Sequence, residues 1–208
     1  MAFRTTKLRR SFYLQPTIKV ARSLLGKSLV RKLHGAILLG KIVEVEAYLG
    51  EKDPASHAYR GKTKRNEVMF LKGGHLYVYF TYGMHYCCNV VTEKEGVGHA
   101  VLLRAVEPLF GIDRMMTNRK FSRREMIFED LTNGPAKLCQ AFNINKKENG
   151  IDLLGDHLFI AEGVNVGKGR IISTERIGIT SGKEHRWRFY IKGNPFVSKF
   201  QRPNRRSA

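Results

Sequence analysis

Cysteine is scarce in this sequence: Cys87, Cys88 and Cys139 are the three cysteines among 208 residues, and two of them are adjacent. There is no CxxC pair and no Cys/His zinc spacing, which excludes a disulfide framework and a zinc finger and indicates a reduced protein. No apolar run approaches the roughly 18 residues of a membrane span. Residues 1–10 are basic, and residues 11–16 form no apolar signal segment. We therefore expect a cytoplasmic or nucleoid-associated protein.

Acidic residues are also in short supply. The chain has 18 Asp and Glu against 37 Lys and Arg, which gives a formal charge of +19. Residues 1–43 contain ten Lys and Arg and no acid, and residues 185–208 contain seven and again no acid. Because such self-repulsion adds nothing to the stability of an isolated domain, it indicates a polyanionic partner. Nucleic acid is favoured over an anionic membrane surface, since no basic stretch also carries a long apolar helical face.

The hydropathy pattern predicts one domain, residues 1–208, of the α+β class. Apolar runs and period-2 alternation predict strands at 36–49, 76–82, 84–92, 99–106, 153–161 and 170–179. Helical spacing and capping signals predict helices at 16–25, 110–119 and 133–142. We expect a mainly antiparallel, curved sheet with surrounding helices and a protruding hairpin that turns at Tyr82-Gly83. A basic arm at 1–10 and a basic tail at 199–208 are expected to be flexible.

Two carboxylates stand out in the first predicted strand. Alternation places Glu44, Glu46 and Tyr48 on one face, with the two carboxylates about 7 Å apart. Such a face can simply be solvated, or it can supply a general base within a basic cleft. Arg104 lies alone in an otherwise apolar strand, so we expect it to meet Glu46 or Glu44.

Aromatic residues are dense in the predicted hairpin, where Tyr77, Tyr79, Phe80, Tyr82 and Tyr86 fall within ten residues. Alternation assigns Phe80 to the core and lets Tyr77 and Tyr79 line a pocket, although Tyr77 and Tyr86 could equally fill the sheet. Tyr82, at the turn, has no obvious core to pack against. On a chain this basic, it suggests a wedge between base pairs.

Nine sequence blocks stand in order along residues 21–198: EVEAYLG (44–50), DPASH (53–57), TKRN (63–66), YVY (77–79), YGM (82–84), Asn89, LLRA (102–105), GPAKLC (134–139) and RIG (176–178). Together they closely resemble the alkyladenine (3-methyladenine) DNA glycosylase family. The resemblance implies a monofunctional enzyme without cofactor or metal that flips damaged purines out of duplex DNA and hydrolyses the N-glycosidic bond.

The same resemblance implies a role for ten residues. For catalysis these are Glu46 as the general base, Arg104 as a holder of the attacking water, and Ile177 as the backbone carbonyl that completes the water site. The base pocket is expected to consist of Tyr48, His57 and Tyr79 as a stack, Tyr77 as a hydrogen-bond partner of the histidine, and Asn89 against the exocyclic amine of guanine. Tyr82 is expected to fill the gap in the duplex, with Met84 beside it in the groove.

Two alternatives are weaker. A nucleic-acid binding module without catalysis, for instance one for RNA, explains the charge and the aromatics but not the pair of glutamates opposite Arg104. A metal nuclease lacks its ligand clusters. We expect a monomer that acts on duplex DNA containing 3-methyladenine or 7-methylguanine. Neutral lesions such as hypoxanthine or ethenoadenine would gain less from a tyrosine pocket.

Overall fold

The computed structural model describes residues 6–33, 35–120 and 127–198. In that part of the chain, eight strands form one antiparallel sheet: β1 (Ser28–Leu33), β2 (Ala36–Leu49), β3 (Leu76–Thr81), β4 (His85–Thr92), β5 (His99–Phe110), β6 (Leu158–Ala161), β7 (Ile171–Thr174) and β8 (Arg188–Ile191). The main path runs β3-β4-β5-β2-β1-β6, and β8 joins β2 to β7. The α-helices are α1 (Arg10–Tyr13), α2 (Thr17–Leu24), α3 (Ile112–Asn118) and α4 (Pro135–Ala141). The predicted single α+β domain is confirmed.

Short 3-10 helices connect these elements, at Gly50–Lys52, Glu67–Phe70, Phe128–Leu131, Lys146–Glu148 and Lys168–Arg170. The predicted helices at 16–25, 110–119 and 133–142 appear as α2, α3 and α4, each shorter by one or two residues at both ends. Proline at the first position of α4 needs no N–H partner there, which agrees with the capping signal.

Strand β2 is the centre of the sheet. It pairs with β1 along its first half and with β5 over most of its length, and β8 pairs with it at residues 44–46. Val43 and Val45 face the core, and Glu44 and Glu46 on the opposite face are also fully buried. A solvated acidic face is therefore wrong. Both carboxylates lie inside the protein, where only partners with positive charge or N–H groups can hold them.

Strand lengths differ from the sequence prediction where local geometry intervenes. The strand expected at 99–106 continues to Phe110, because Pro108 stands opposite Gly40 beside a register shift, where the missing N–H is tolerated. The strand expected at 153–161 begins only at Leu158, since Asp152 accepts from the Leu154 amide and forms a turn. Strand β7 ends at Thr174 rather than at residue 179. Strands β1 and β8 were not predicted.

The hairpin of β3 and β4 protrudes, as predicted. Strand β5 pairs with β4 at residues 89–92 of β4, so the tip of the hairpin has no β5 residues opposite it. Phe80 was expected in the core, but it is 49% exposed for this reason. Its ring contacts Tyr86 across the hairpin at 5.1 Å between centroids.

The N-terminal arm is shorter than expected in its described part, residues 6–10. Lys7 pairs with Ala161 at the edge of β6, and Leu8 is buried in the core. Arg10 already begins α1. These residues pack on the domain, so the prediction of a loose arm is wrong for them. Residues 1–5 and the expected tail at 199–208 lie outside the described residues.

Candidate active site

The carboxylate of Glu46 is fully buried on β2 and held from three sides. Its Oε1 accepts from the Ile177 amide at 2.7 Å and lies 3.2 Å from Nη1 of Arg104. Its Oε2 accepts from the Tyr48 hydroxyl at 2.9 Å. Ile177 therefore reaches Glu46 through its backbone N–H, and the water-site role that the family resemblance implies for its carbonyl stays a prediction.

Arg104, on β5, joins the two glutamates. Its Nε donates to Glu44 at 2.9 Å while its Nη1 faces Glu46. Burial alone would lower the pKa of Arg104, but the two carboxylates raise it above its ordinary value, so the guanidinium stays charged. The sequence predicted one glutamate partner; the structure provides both.

The carboxylate of Glu44 accepts a second set of hydrogen bonds. Besides Arg104, it accepts from Nε of Arg188 at 2.7 Å and from the amide and hydroxyl of Ser198 at 2.6 and 2.7 Å. Burial would raise the pKa of Glu44, but the two arginines and the Ser198 donors outweigh it and hold the pKa below 4.5. Because these donors hold its carboxylate, Glu44 stabilises the fold and orients Arg104.

Aromatic side chains from three segments gather above Glu46. His57 Nδ1 and the Tyr77 hydroxyl share a hydrogen bond at 3.0 Å. The His57 ring meets Tyr79 edge-on with centroids 4.5 Å apart, and Tyr79 stacks on Tyr77 at 5.6 Å. Tyr48 joins this group from β2, with its hydroxyl on Glu46.

These side chains border a cleft of about 280 Å³, which we call the aromatic cleft. Its described lining consists of Tyr48, Ala55, His57, Arg65, Met69, Tyr77, Tyr79, Thr81, Tyr82, Cys87, Asn89, Leu102, Arg104, Pro135, Ile177, Gly178 and Ile179. Eight of the ten residues expected in the site from sequence are in this lining. Glu46 lies beneath it, under Tyr48 and Arg104, and Met84 lies outside it at the hairpin tip.

The side chains that line the aromatic cleft are mainly neutral. Burial raises the pKa of Tyr77 to about 12 and, together with the charge of Glu46, raises that of Tyr48. Partial burial and the nearby Arg65 guanidinium lower the pKa of His57 below 6.5. At neutral pH the tyrosines are therefore protonated and His57 is an uncharged imidazole.

Two side chains at the hairpin tip project into solvent. Tyr82 is 85% exposed and Met84 is 68% exposed. Tyr82 also has a φ of +50°, in the left-handed region that bulky residues avoid. Asn89 is buried on β4 opposite Tyr77, whose carbonyl accepts from its amide at 3.2 Å, and it faces the cleft from below.

A family model for methylpurine-DNA glycosylase (MPG) matches residues 11–195 of this sequence. The chain belongs to the methylpurine-DNA glycosylase family. A relative from Carboxydothermus hydrogenoformans is 54% identical over 92% of this chain and 98% of its own length. Relatives from Francisella tularensis (strain WY96-3418; 53% identical, over 88% of this chain and 94% of the relative) and Clostridium acetobutylicum (47%, 92% and 97%) are also similar. Each of these proteins carries the name "Putative 3-methyladenine DNA glycosylase". As a member of this family, the chain is a DNA glycosylase, and its macromolecular partner is DNA.

Sequence reasoning missed several residues of this glycosylase site. Arg188 and Ser198 complete the Glu44 cluster, but they stand on or beyond β8, a strand that was not predicted. Asp53 and Arg176 form a buried ion pair behind Tyr48. Both residues belong to the sequence blocks that resemble the family. The sequence did not predict that they contact each other.

In the part of the glycosylase chain that the structure describes, no group of three or more His, Cys, Asp or Glu side chains is placed to hold a metal ion. Among the helices of the same described part, none has the length and apolar character needed to cross a bilayer.

Proposed function

We propose that this chain releases alkylated purines, such as 3-methyladenine and 7-methylguanine, from duplex DNA by hydrolysis of the N-glycosidic bond. Glu46 is the general base. One observation carries the proposal: the carboxylate of Glu46 lies buried beneath the aromatic cleft, held by the Ile177 amide, the Tyr48 hydroxyl and the Arg104 guanidinium.

The described donors do not use all the acceptor capacity of Glu46. A carboxylate offers about four acceptor positions, two on each oxygen. Oε1 faces the Ile177 amide and Arg104, and Oε2 accepts from the Tyr48 hydroxyl. We place the attacking water on Oε2, whose described donor is the Tyr48 hydroxyl. The carboxylate of Glu46 can take that proton as the water attacks C1′.

The cleft favours a cationic base. A purine alkylated at N3 or N7 carries positive charge, and the faces of Tyr48 and Tyr79 attract it by about 0.5–2 kcal/mol over a neutral base. His57 supports this preference because it is uncharged at neutral pH and does not repel the purine. Asn89 narrows the cleft against the exocyclic amine of normal guanine, which works against excision of an undamaged base.

The reaction is then a displacement at the sugar. The bond between C1′ and the purine nitrogen breaks, and its electron pair neutralises the cationic base, which leaves without protonation. The carboxylate of Glu46 stabilises the positive charge that develops on the sugar. The water oxygen forms a bond to C1′, and its proton passes to Glu46. The products are the free purine and an abasic site.

We assign extrusion of the damaged nucleotide from the duplex to the hairpin tip. Tyr82 enters the duplex in place of the extruded nucleotide and Met84 contacts the groove, as expected for apolar wedges on a basic protein. A weakly paired, damaged base costs less to extrude, which adds to the selectivity of the cleft.

We propose a monofunctional enzyme. The described lining of the aromatic cleft contains no lysine that could attack C1′ and form a Schiff base. Water is the nucleophile, and strand cleavage is not part of the reaction.

The test is release of free base from duplex DNA methylated at purines, measured in excess EDTA. We expect Glu46→Gln to lower the single-turnover rate by about 10²–10⁴-fold while the affinity for the duplex stays within about threefold. Glu162→Gln is the matched control, because this exposed glutamate follows β6 at the far edge of the sheet. Wild-type rates in Glu46→Gln would refute the assignment of the base. Tight binding with no base release by the wild type would indicate a binding module.

A further inference from the structure

A second buried ion pair lies next to the catalytic carboxylate without touching the aromatic cleft. Arg176 donates through both terminal nitrogens to Asp53, at 2.5 and 2.8 Å, and neither side chain has any exposed surface. Such a two-pronged, fully buried pair holds its two chain segments in one relative orientation. The segments are the loop after β2 and the loop after β7.

Asp53 cannot take part in the chemistry because its acceptor positions are used. Oδ1 accepts from the Ala55 amide at 3.1 Å and from Arg176, and Oδ2 accepts from the Leu49 amide at 3.2 Å and from Arg176. Those four donors fill a carboxylate. Asp53 therefore orients the backbone rather than accepting a proton.

The backbone that Asp53 orients leads directly to the cleft. Leu49 follows Tyr48 on β2, and Ala55 stands two residues before His57. The same carboxylate therefore fixes the backbone beside both of these cleft residues.

Arg176 is connected to the same site in two ways, through its contact with the Tyr48 ring and through its sequence neighbour Ile177. Its guanidinium lies over the Tyr48 ring at 4.7 Å and over the Trp187 ring at 5.2 Å, and Trp187 is stacked on His185. The residue that follows it is Ile177, whose amide donates to Glu46.

The backbone around the guanidinium is shaped to fit it. Nη1 of Arg176 also donates to the Ala47 carbonyl at 3.0 Å, and Nη2 donates to the Gly182 carbonyl at 3.3 Å. A Cβ at Gly182 would lie 2.9 Å from Nη2, and the φ of this glycine is +66°. Both facts require glycine at this position.

We propose that Asp53 and Arg176 are positioning residues for the hydrolysis: together they set the Ile177 amide and the Tyr48 ring against Glu46. The inference rests on the proposed role of Glu46. Loss of the pair lets the two donors of Glu46 drift, and misplacement by about 1 Å is enough to cost about 10²-fold in rate.

Arg176→Lys and Asp53→Asn are the direct variants. The first keeps the charge but loses the two-pronged contact, and the second keeps the shape but removes the charge. We expect each to lower the single-turnover rate of base release by about 10- to 100-fold, with duplex affinity within about threefold of wild type. Trp187→Phe, which trims the other ring beside Arg176, is a milder variant in case a direct one does not fold.

The chain offers a matched control in Arg31 and Glu148. This pair is also nearly buried, with 2.6 Å between Nη2 and Oε1, but it joins β1 to the 3-10 helix at Lys146–Glu148 and does not line the cleft. Arg31→Lys is expected to lower the melting temperature while the folded protein keeps its wild-type rate. Melting temperatures of all variants are compared, and rates are measured well below them.

A double-mutant cycle separates positioning from mere stability. If Arg176 acts through Glu46, adding Arg176→Lys to Glu46→Gln should change the residual rate by less than about twofold. An equal loss in both backgrounds, or an unchanged rate in the folded Arg176→Lys, Asp53→Asn and Trp187→Phe variants, would overturn the inference. If Glu46→Gln alone had no effect, the proposed base would be wrong instead.

Discussion

Replacing Tyr82 with alanine should separate DNA distortion from folding. Tyr82 is 85% exposed, so about 15% of the surface of the residue is buried in the free protein. Truncating a fully buried aromatic costs about 3–5 kcal/mol, and a proportional share for Tyr82 is about 0.5 kcal/mol. For a domain of this size, that lowers the melting temperature by about 1–2 °C. The strain at a φ of +50° is common to tyrosine and alanine, so it does not add to the stability difference.

The effect on DNA should be much larger. A side chain that fills the place of an extruded nucleotide offsets part of an unstacking cost of a few kcal/mol. Losing even 1.4 kcal/mol of that compensation weakens the flipped complex about tenfold. We therefore expect Tyr82→Ala to bind lesion-containing duplex at least about tenfold more weakly and to flip a smaller fraction of nucleotides.

A fluorescent base analogue next to the lesion reports flipping, and thermal melting of the free protein reports stability. Phe110→Ala is the control, since this aromatic is 46% exposed at the far end of β5 and should lose stability without any change in flipping. A large loss of stability in Tyr82→Ala, together with wild-type flipping by the folded protein, would refute the wedge.

Two further predictions concern charge. Because the folded pKa of Glu44 lies below 4.5, its stabilising effect is complete above about pH 4.5 and is lost as the pH falls through the folded value. Glu44→Gln should therefore flatten the acid limb of the melting temperature measured from pH 6 to pH 3, and an unchanged slope would contradict the pairing. With a net charge of +19, log K for undamaged duplex should fall linearly with log salt, by about 0.9 for each phosphate neutralised. Binding that does not respond to salt would point to a small-molecule substrate.

Much of the site was accessible from sequence because it is built from local patterns. Alternation placed Glu46 and Tyr48 on one face of a strand, and an isolated arginine in an apolar strand called for a carboxylate. The cleft residues Tyr77 and Tyr79 followed from the period of two in the hairpin. The sequence did not predict which of these side chains are buried. The glutamate face could have been solvated, and Phe80 was wrongly assigned to the core. Periodicity identifies which side chains share a face but not what covers that face.

The sequence alone determined the α+β class, the basic surface, the two carboxylates and the protruding aromatic hairpin, since these depend on composition and on neighbours within a few residues. Only the tertiary structure decided which charges are buried together. Glu44 gathers donors from residues 60, 144 and 154 positions away, and Asp53 meets Arg176 across 123 positions. The free energy of such contacts depends on three-dimensional proximity and on the exclusion of water, and neither is encoded in local spacing. The sheet brings β2, β5 and β8 side by side, and that arrangement buries the carboxylates of β2 next to arginines of β5 and β8.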